Sequence, residues 1–273
     1  MGAVVKVHFT EEQSTNLATL YGRAMDSRSD DPFLADLTAE ETVSRIDYDF
    51  SKFGMKTDQA LSIVMRAKLF DDWSREFLAA NPTATVLHLG CGMDSRVFRL
   101  DPPPTVRWYD VDYPDVIALR KQVYPERENY TLVSSSVTDL AWLDEIPADR
   151  PTLVVAEGLT MYLDPAAGEK LLRAIAELFP RGEMMFDLYG RLGIKAQKLN
   201  PIVRRAGATL TWGVDDPKDL EKLGLTLVTN MDATDFATPD TLSRMSKTAA
   251  FQLRLAKLLP FVRRMGHVVR YRF

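Results

Sequence analysis

Cysteine is almost absent from this chain of 273 residues: Cys91 is the only one. No intrachain disulfide framework can form from it, which fits a reducing compartment. Histidine is nearly as scarce, limited to His8, His88 and His267. That shortage argues against a His/Cys metal site and leaves carboxylates as the remaining ligand type, so no metal residue is assigned. Basic charge is not in excess either, because 34 Lys and Arg stand against 38 Asp and Glu for a net charge of -4. Neither nucleic acid nor an anionic membrane surface is therefore an expected partner. No apolar run approaches the ~20 residues needed to span a bilayer. The stretch Met1–Thr10 lacks a basic segment leading into an apolar one, so no secretory signal is read and a cytoplasmic location is expected.

The length suffices for a substantial core and is most simply one domain over 1–273, with a helical N-terminal cap at 1–82 and an α/β core at 83–273. Residues 10 to 80 read as helical. Thr10 with Gln13 and Thr38 with Glu41 have capping-box spacing, and a longer helix is expected from about Asp58 to Ala80, stopped by Asn81-Pro82. From Ala84 onward, short apolar runs alternate with helical stretches. The expected strands are Ala84–Leu89, Val106–Asp110, Tyr130–Val133, Thr152–Ala156, Glu183–Leu188, Leu225–Thr229 and Val268–Phe273. Near-continuous apolar strands belong in a sheet with helices on both faces, so the expected fold is a doubly wound, Rossmann-like seven-stranded α/β sheet. Asp164-Pro165 and Asp216-Pro217 each start a helix, with Gly224 closing the second.

The first expected strand runs into Gly90-Cys91-Gly92, and the second ends in Asp110-Val111-Asp112. Glycines let backbone approach a ligand, and an acid 20 residues beyond Gly92 can accept bonds from ribose hydroxyls. A dinucleotide fingerprint would need a third glycine where Ser95 stands. That substitution turns the reading from NAD toward S-adenosylmethionine, which has no pyrophosphate to accommodate. Asp112 is preferred to Asp110 for the ribose because it lies nearer the strand's carboxyl end; the bland alternative for Asp110 is a strand-end residue satisfying local backbone. Glu157 follows the fourth strand and faces the same crevice, to hold the cofactor's polar tail or flank its methyl. Asp139 lies where an adenine amino group would fall, and a plain helix N-cap is the competing account.

With those residues in view, the chain resembles the leucine carboxyl methyltransferase superfamily, in particular its tetracenomycin-type polyketide O-methyltransferase branch. The likeness rests on Leu89-Gly90-Cys91-Gly92-Met93-Asp94-Ser95-Arg96, Asp110-Val111-Asp112-Tyr113-Pro114 and Ala156-Glu157-Gly158-Leu159-Thr160-Met161-Tyr162-Leu163. Gly22-Arg23-Ala24-Met25-Asp26-Ser27, Arg66 ahead of Phe70-Asp71-Asp72, and Trp212-Gly213-Val214-Asp215-Asp216-Pro217 also match. The resemblance implies S-adenosylmethionine as cofactor, with Arg66 on its carboxylate, Gly90 against its methionine part, Gly92 also among the cofactor-binding residues and Asp112 on the ribose. It implies that Asp139 and Leu140 hold adenine and that Glu157 completes the pocket. Tyr162 would stand near the transferred methyl, and Arg23 near the cofactor or the acceptor carboxylate. Without the resemblance, Arg66 reads as an exposed helix charge paired with the acids at 71 and 72.

Methyl transfer from a sulfonium is an in-line displacement, for which alignment is the main requirement. A carboxylate acceptor needs no base, whereas a hydroxyl does. None of the histidines offers an obvious one: His88 reads as a core residue within the first strand, His8 lies in the N-terminal segment and His267 precedes the last strand. The expected partner is thus a small acceptor, a polyketide or aromatic acid; a protein C-terminal carboxyl methyltransferase and a non-catalytic binding module are the alternatives. After Asp240 there is no acidic residue, and basic side chains interleave with Phe251, Leu255, Leu258 and Phe261. This pattern is read as a last crossover helix packing its apolar side on the sheet.

Overall fold

The computed structural model describes residues 5–6, 14–197 and 209–273. The Thr10–Gln13 capping box and His8 lie outside the described residues. All seven expected strands are present: β1 (Thr85–Leu89), β2 (Arg107–Asp112), β3 (Tyr130–Ser134), β4 (Thr152–Ala156), β5 (Gly182–Tyr189), β6 (Thr226–Asp232) and β7 (Gly266–Arg272). They form one sheet in the order β3-β2-β1-β4-β5-β7-β6. The first five are parallel, and β7 runs antiparallel to both β5 and β6. The winding reverses between β1 and β4, and a doubly wound sheet opens a crevice outside the carboxyl ends of its strands at that point.

Alternation along each strand sends successive side chains to opposite faces, and both faces are covered. The N-terminal region supplies α1 (Ser14–Ser27), α2 (Leu37–Arg45) and α3 (Thr57–Ala80). Phe70, Trp73 and Phe77 of α3 pack on Val86, Trp108, Val155 and Met185, so α3 belongs to the cap and also forms one layer of the sheet. The short α4 (Arg96–Leu100) shares that side, while α5 (Pro114–Val123) adds Leu119 and Val123 to a cluster with Leu17, Leu20 and Val43. On the opposite face, α6 (Pro165–Leu178) lays Leu171, Leu172 and Ile175 against Leu87, Val154, Met184 and Phe186. Asp164 caps α6 by accepting from the Ala166 and Ala167 N–H groups. Asp216 likewise caps a 3-10 turn over Pro217–Leu223, which Gly224 ends.

Two local expectations are corrected. Helix α2 is capped by Asp36, which accepts from the Ala39 N–H, and not by Thr38. A carboxylate just ahead of the helix captures the first turn, and Thr38 is drawn inside it, where its carbonyl accepts from the Thr42 hydroxyl. The basic C-terminal stretch is not one crossover helix. After α7 (Arg191–Lys195) and β6 it forms three short helices, α8 (Pro239–Arg244), α9 (Lys247–Ala256) and α10 (Pro260–Arg263). Its apolar side chains are turned to solvent, with Phe251 65% and Leu258 74% exposed. The reason is topological: β6 and β7 are antiparallel neighbours, and antiparallel strands need no helix crossing the sheet between them.

Among the described residues no helix is long and apolar enough to cross a membrane.

Candidate active site

β1 delivers the chain to its carboxyl end in a left-handed turn, with φ of +58° at Gly90 and +49° at Gly92. A Cβ at Gly90 would stand 2.8 Å from Leu159 Cδ1, and one at Gly92 2.6 Å from Asn16 Oδ1. The dihedrals demand glycine, and a Cβ at either position would also have to push a side-chain tip aside. The Gly92 N–H donates to Asp112 Oδ2 at 2.7 Å and the Tyr113 N–H to Oδ1 at 2.8 Å. Burial nonetheless raises the Asp112 pKa above the usual carboxylate value, outweighing those two bonds and the more distant Arg120. Ser95, read from sequence as a missing glycine, has a job of its own. Its hydroxyl donates to the Asp36 carboxylate at 2.6 Å and ties the turn to the cap of α2.

Asp110 is fully buried and belongs to the scaffold beneath the turn. It accepts from His88 Nδ1 at 2.9 Å, Trp108 Nε1 at 2.8 Å, the Tyr130 hydroxyl at 2.6 Å, and Arg120. Burial opposes its ionisation, but Arg120 and these donors hold its pKa below the usual range. With Asp110 ionised and acting only as acceptor, His88 must carry its proton on Nδ1. The reading of His88 as a core residue stands, yet its ring also lines the cavity, with Nε2 3.7 Å from Asp94 Oδ2. His267 lies within β7, bonded to Asn230 Oδ1.

Around the turn runs a buried chain of arginines and carboxylates. Arg66 donates through Nε to Glu157 Oε1 at 3.0 Å and through Nη1 to Asp187 Oδ2 at 2.7 Å. Arg96 bridges Asp71, Asp94 and the other oxygen of Glu157. Arg99 joins Asp71, Asp36 and Asp94. Arg23 donates to the Met93 carbonyl at 2.7 Å, with Nε 3.3 Å from Asp36. The bland account of Arg66 fails here: Lys68 takes Asp72 at 2.6 Å, and Arg96 and Arg99 take Asp71. Burial pushes Glu157 and Asp94 up, but the neighbouring arginines outweigh it and both pKa values end below normal, Asp94 well below. At Asp187 burial wins over Arg66, and the pKa is raised.

A crevice of two joined lobes opens over this floor. The lobes, of about 270 and 240 Å³, share Thr15, Asn16, Gly90, Gly158 and Tyr162. Arg23, Arg66, Gly92, Glu157 and Tyr189 line the first; Asp112, Tyr113, Ser135, Val137 and Leu159 line the second. Of the residues picked from sequence, Arg23, Arg66, Gly90, Gly92, Asp112, Glu157 and Tyr162 are thus brought together. Asp139 and Leu140 are not in either wall. Asp139 is exposed and accepts from the Ala141 N–H as cap of a 3-10 turn at Leu140–Glu145, and Leu140 packs against the core behind. Ser135 and Val137 occupy the wall there instead. Sequence reasoning missed Asp187, whose one signal was an acid near the end of an otherwise apolar strand. It also missed the role of Asp94, which stood in plain view inside the glycine motif.

The leucine carboxyl methyltransferase family model matches residues 16–176. The chain is 48% identical over 221 residues to the tetracenomycin polyketide synthesis O-methyltransferase TcmP of Streptomyces glaucescens, covering 81% of each chain. It is 39% identical over 237 residues to the S-adenosyl-L-methionine-dependent methyltransferase dpfgK of Gibberella zeae, covering 79% of this chain and 80% of that one. Among solved structures, a DUF574 family protein of Streptomyces avermitilis aligns with a TM-score of 0.58 at 12% identity, covering 94% and 96% of the two chains. At such identity the structural likeness speaks for the fold alone.

Proposed function

This chain belongs to the leucine carboxyl methyltransferase family and is an S-adenosylmethionine-dependent methyltransferase, and from that premise we propose that it methylates the carboxylate of a small polyketide-like or aromatic acid. The single observation that carries the residue assignment is the setting of Arg66. Two edges of its guanidinium are held by Glu157 and Asp187, and Nη2 makes no hydrogen bond among the described residues. That nitrogen lies 3.4 Å from where a Cβ on Gly158 would stand, and the side chain keeps 27% exposure at the crevice. An arginine fixed on two sides and open on the third is prepared for a carboxylate.

The residues present fit the cofactor. The glycine turn is a cradle that any Cβ would fill, and the carboxylate of Asp112 stands in the second lobe with Ser135 and Val137. In this reading Arg66 holds the amino-acid carboxylate, Gly90 and Gly92 admit the methionine part, and Asp112 takes the ribose hydroxyls. Val137 and Ser135 face the adenine in place of Asp139 and Leu140. Glu157 acts through Arg66, orienting it. When bound, the cofactor supplies a methyl group made electrophilic by its sulfonium.

What the chain does for the acceptor is mostly alignment. Tyr162 belongs to both lobes and so stands at the junction where acceptor and methyl meet. Arg23, buried and paired with Asp36, backs the first lobe as a second cation near the acceptor's carboxylate. A carboxylate is already ionised at neutral pH, since its ordinary pKa is about 4, and no side chain has to remove a proton.

Isothermal titration with S-adenosylmethionine and with NAD, followed by labelled-methyl transfer to a panel of aromatic and polyketide acids, tests this. Heat with the first alone and label in an ester are expected; transfer to no acid would remove the carboxylate reading. Arg66→Ala and Asp112→Ala are each expected to weaken cofactor binding about tenfold or more, from loss of charge-assisted bonds. Unchanged affinity in both would break the residue assignments.

A further inference from the structure

The first lobe has one wall, built by α1 and α3, of which the cofactor assignment uses only Arg66. On α1, Thr15, Thr19 and Arg23 follow one another at four-residue spacing and all face the lobe; on α3, Ser62 and Arg66 do the same. The two stripes are brought side by side where α1 and α3 nearly touch: a Cβ added at Gly22 would stand 2.7 Å from Ile63 Cδ1. Each stripe therefore places hydroxyls one turn ahead of an arginine.

Donor and acceptor counting separates those hydroxyls: Thr15 Oγ1 is buried with no partner among the described residues and keeps its proton to donate, whereas the other two do not. Thr19 Oγ1 donates its proton to the Asn16 carbonyl at 3.1 Å, and Ser62 Oγ donates to the Gln59 carbonyl at 2.8 Å. A carbonyl oxygen can only accept, so both hydroxyl protons are committed to the helix backbone. The lone pairs that remain can only accept a bond from a ligand. The wall thus pairs cations, which suit a carboxylate, with oxygens that need a donor.

We propose that Thr19 and Ser62 make this site select an acceptor acid bearing a hydroxyl donor close to its carboxylate. The inference rests on the carboxylate reading above and deepens it. A plain acid leaves both oxygens unmatched, and a ketone or ether at that place meets them lone pair to lone pair. Ser62 is exposed and Thr19 half-buried, so water satisfies both oxygens when the hydroxyl is absent and the discrimination is modest.

The test is binding of 4-hydroxy-2-naphthoate, whose hydroxyl stands too far from its own carboxylate to bond it, and of 2-naphthoate to protein saturated with S-adenosylhomocysteine, read by titration calorimetry. The hydroxy acid is expected to bind about tenfold more tightly, the gain from well-placed hydrogen bonds. Thr19→Val combined with Ser62→Ala is expected to bring that ratio close to one, and Thr19→Ser alone to preserve it. The affinity for S-adenosylhomocysteine stays the same in every variant, which separates loss of recognition from loss of fold. Equal or absent binding of the two acids to the unaltered protein overturns the proposal, as does a ratio that survives the double substitution. Methyl transfer to the wider acid panel is followed in parallel. No transfer to any acid condemns the carboxylate reading, whereas transfer without hydroxyl preference condemns only this inference.

Discussion

At Gly92 three demands meet on one residue: a left-handed dihedral, an N–H aimed at Asp112, and no room for a Cβ beside Asn16. The Asn16 side chain can swing aside, but the dihedral cannot be relieved so cheaply. Gly92→Ala is expected to cost about 1–2 kcal/mol from the left-handed conformation alone, read as a lower urea midpoint. A midpoint equal to that of the unaltered protein would mean that the turn relaxes. The importance of this residue was legible from sequence, because a glycine after a strand carries its dihedral requirement with it. The setting of Arg66 was not. Its partners stand 91 and 121 positions away, and only the folded sheet brings Glu157 and Asp187 to the same guanidinium. Asp139 shows the opposite limit: its place after the third strand was read correctly, and of the two accounts weighed for it the N-cap holds, its carboxylate spent on the Ala141 N–H.

Among the elements, α3 and α4 are joined by charge as much as by packing. Asp71 is fully buried on α3 and receives both Arg96 and Arg99 of α4. Asp71→Asn leaves two buried guanidinium groups short of a counter-charge, and such breakage typically costs about 3–5 kcal/mol. A double-mutant cycle with Arg99→Met should show strong coupling, and additive losses would mean that the pair contributes nothing as a pair. Strands and long helices were legible because apolar period and proline punctuation are local signals; α3 begins and ends within a residue of its expected bounds. The stretch 247–263 was misread for a physical reason. Amphipathic spacing states that a helix has an apolar side but not what covers it, and here Phe251, Leu255, Leu258 and Phe261 face solvent.

For the whole molecule, the buried carboxylates set the response to acid. Asp71, Asp94 and Glu157 have folded-state pKa values below their ordinary ones, so their pairing contributes stability above the usual carboxylate range, lost as pH falls through it. Asp112 and Asp187 are raised, so their contribution has the opposite sign: full at low pH and lost as pH rises. Asp110 is lowered too, so more buried carboxylates are lowered than raised, and with Asp94 shifted far the urea midpoint is expected to drop as pH is lowered from about 5 toward 3. A flat profile there would show that the arginine network does not hold those carboxylates ionised. One property of the sheet bears on how the molecule is made. In space β7 separates β5 from β6, although it follows β6 in the chain. As the polypeptide is synthesised, β6 therefore emerges with nothing to hydrogen-bond, since its sole neighbour in the sheet has yet to be translated. During that interval Thr226–Asp232 is a naked strand, the kind of segment that chaperones shield and that recruits other nascent chains. The antiparallel insertion that frees the C-terminal helices from covering the sheet thus also leaves β6 unpaired until the last strand has emerged.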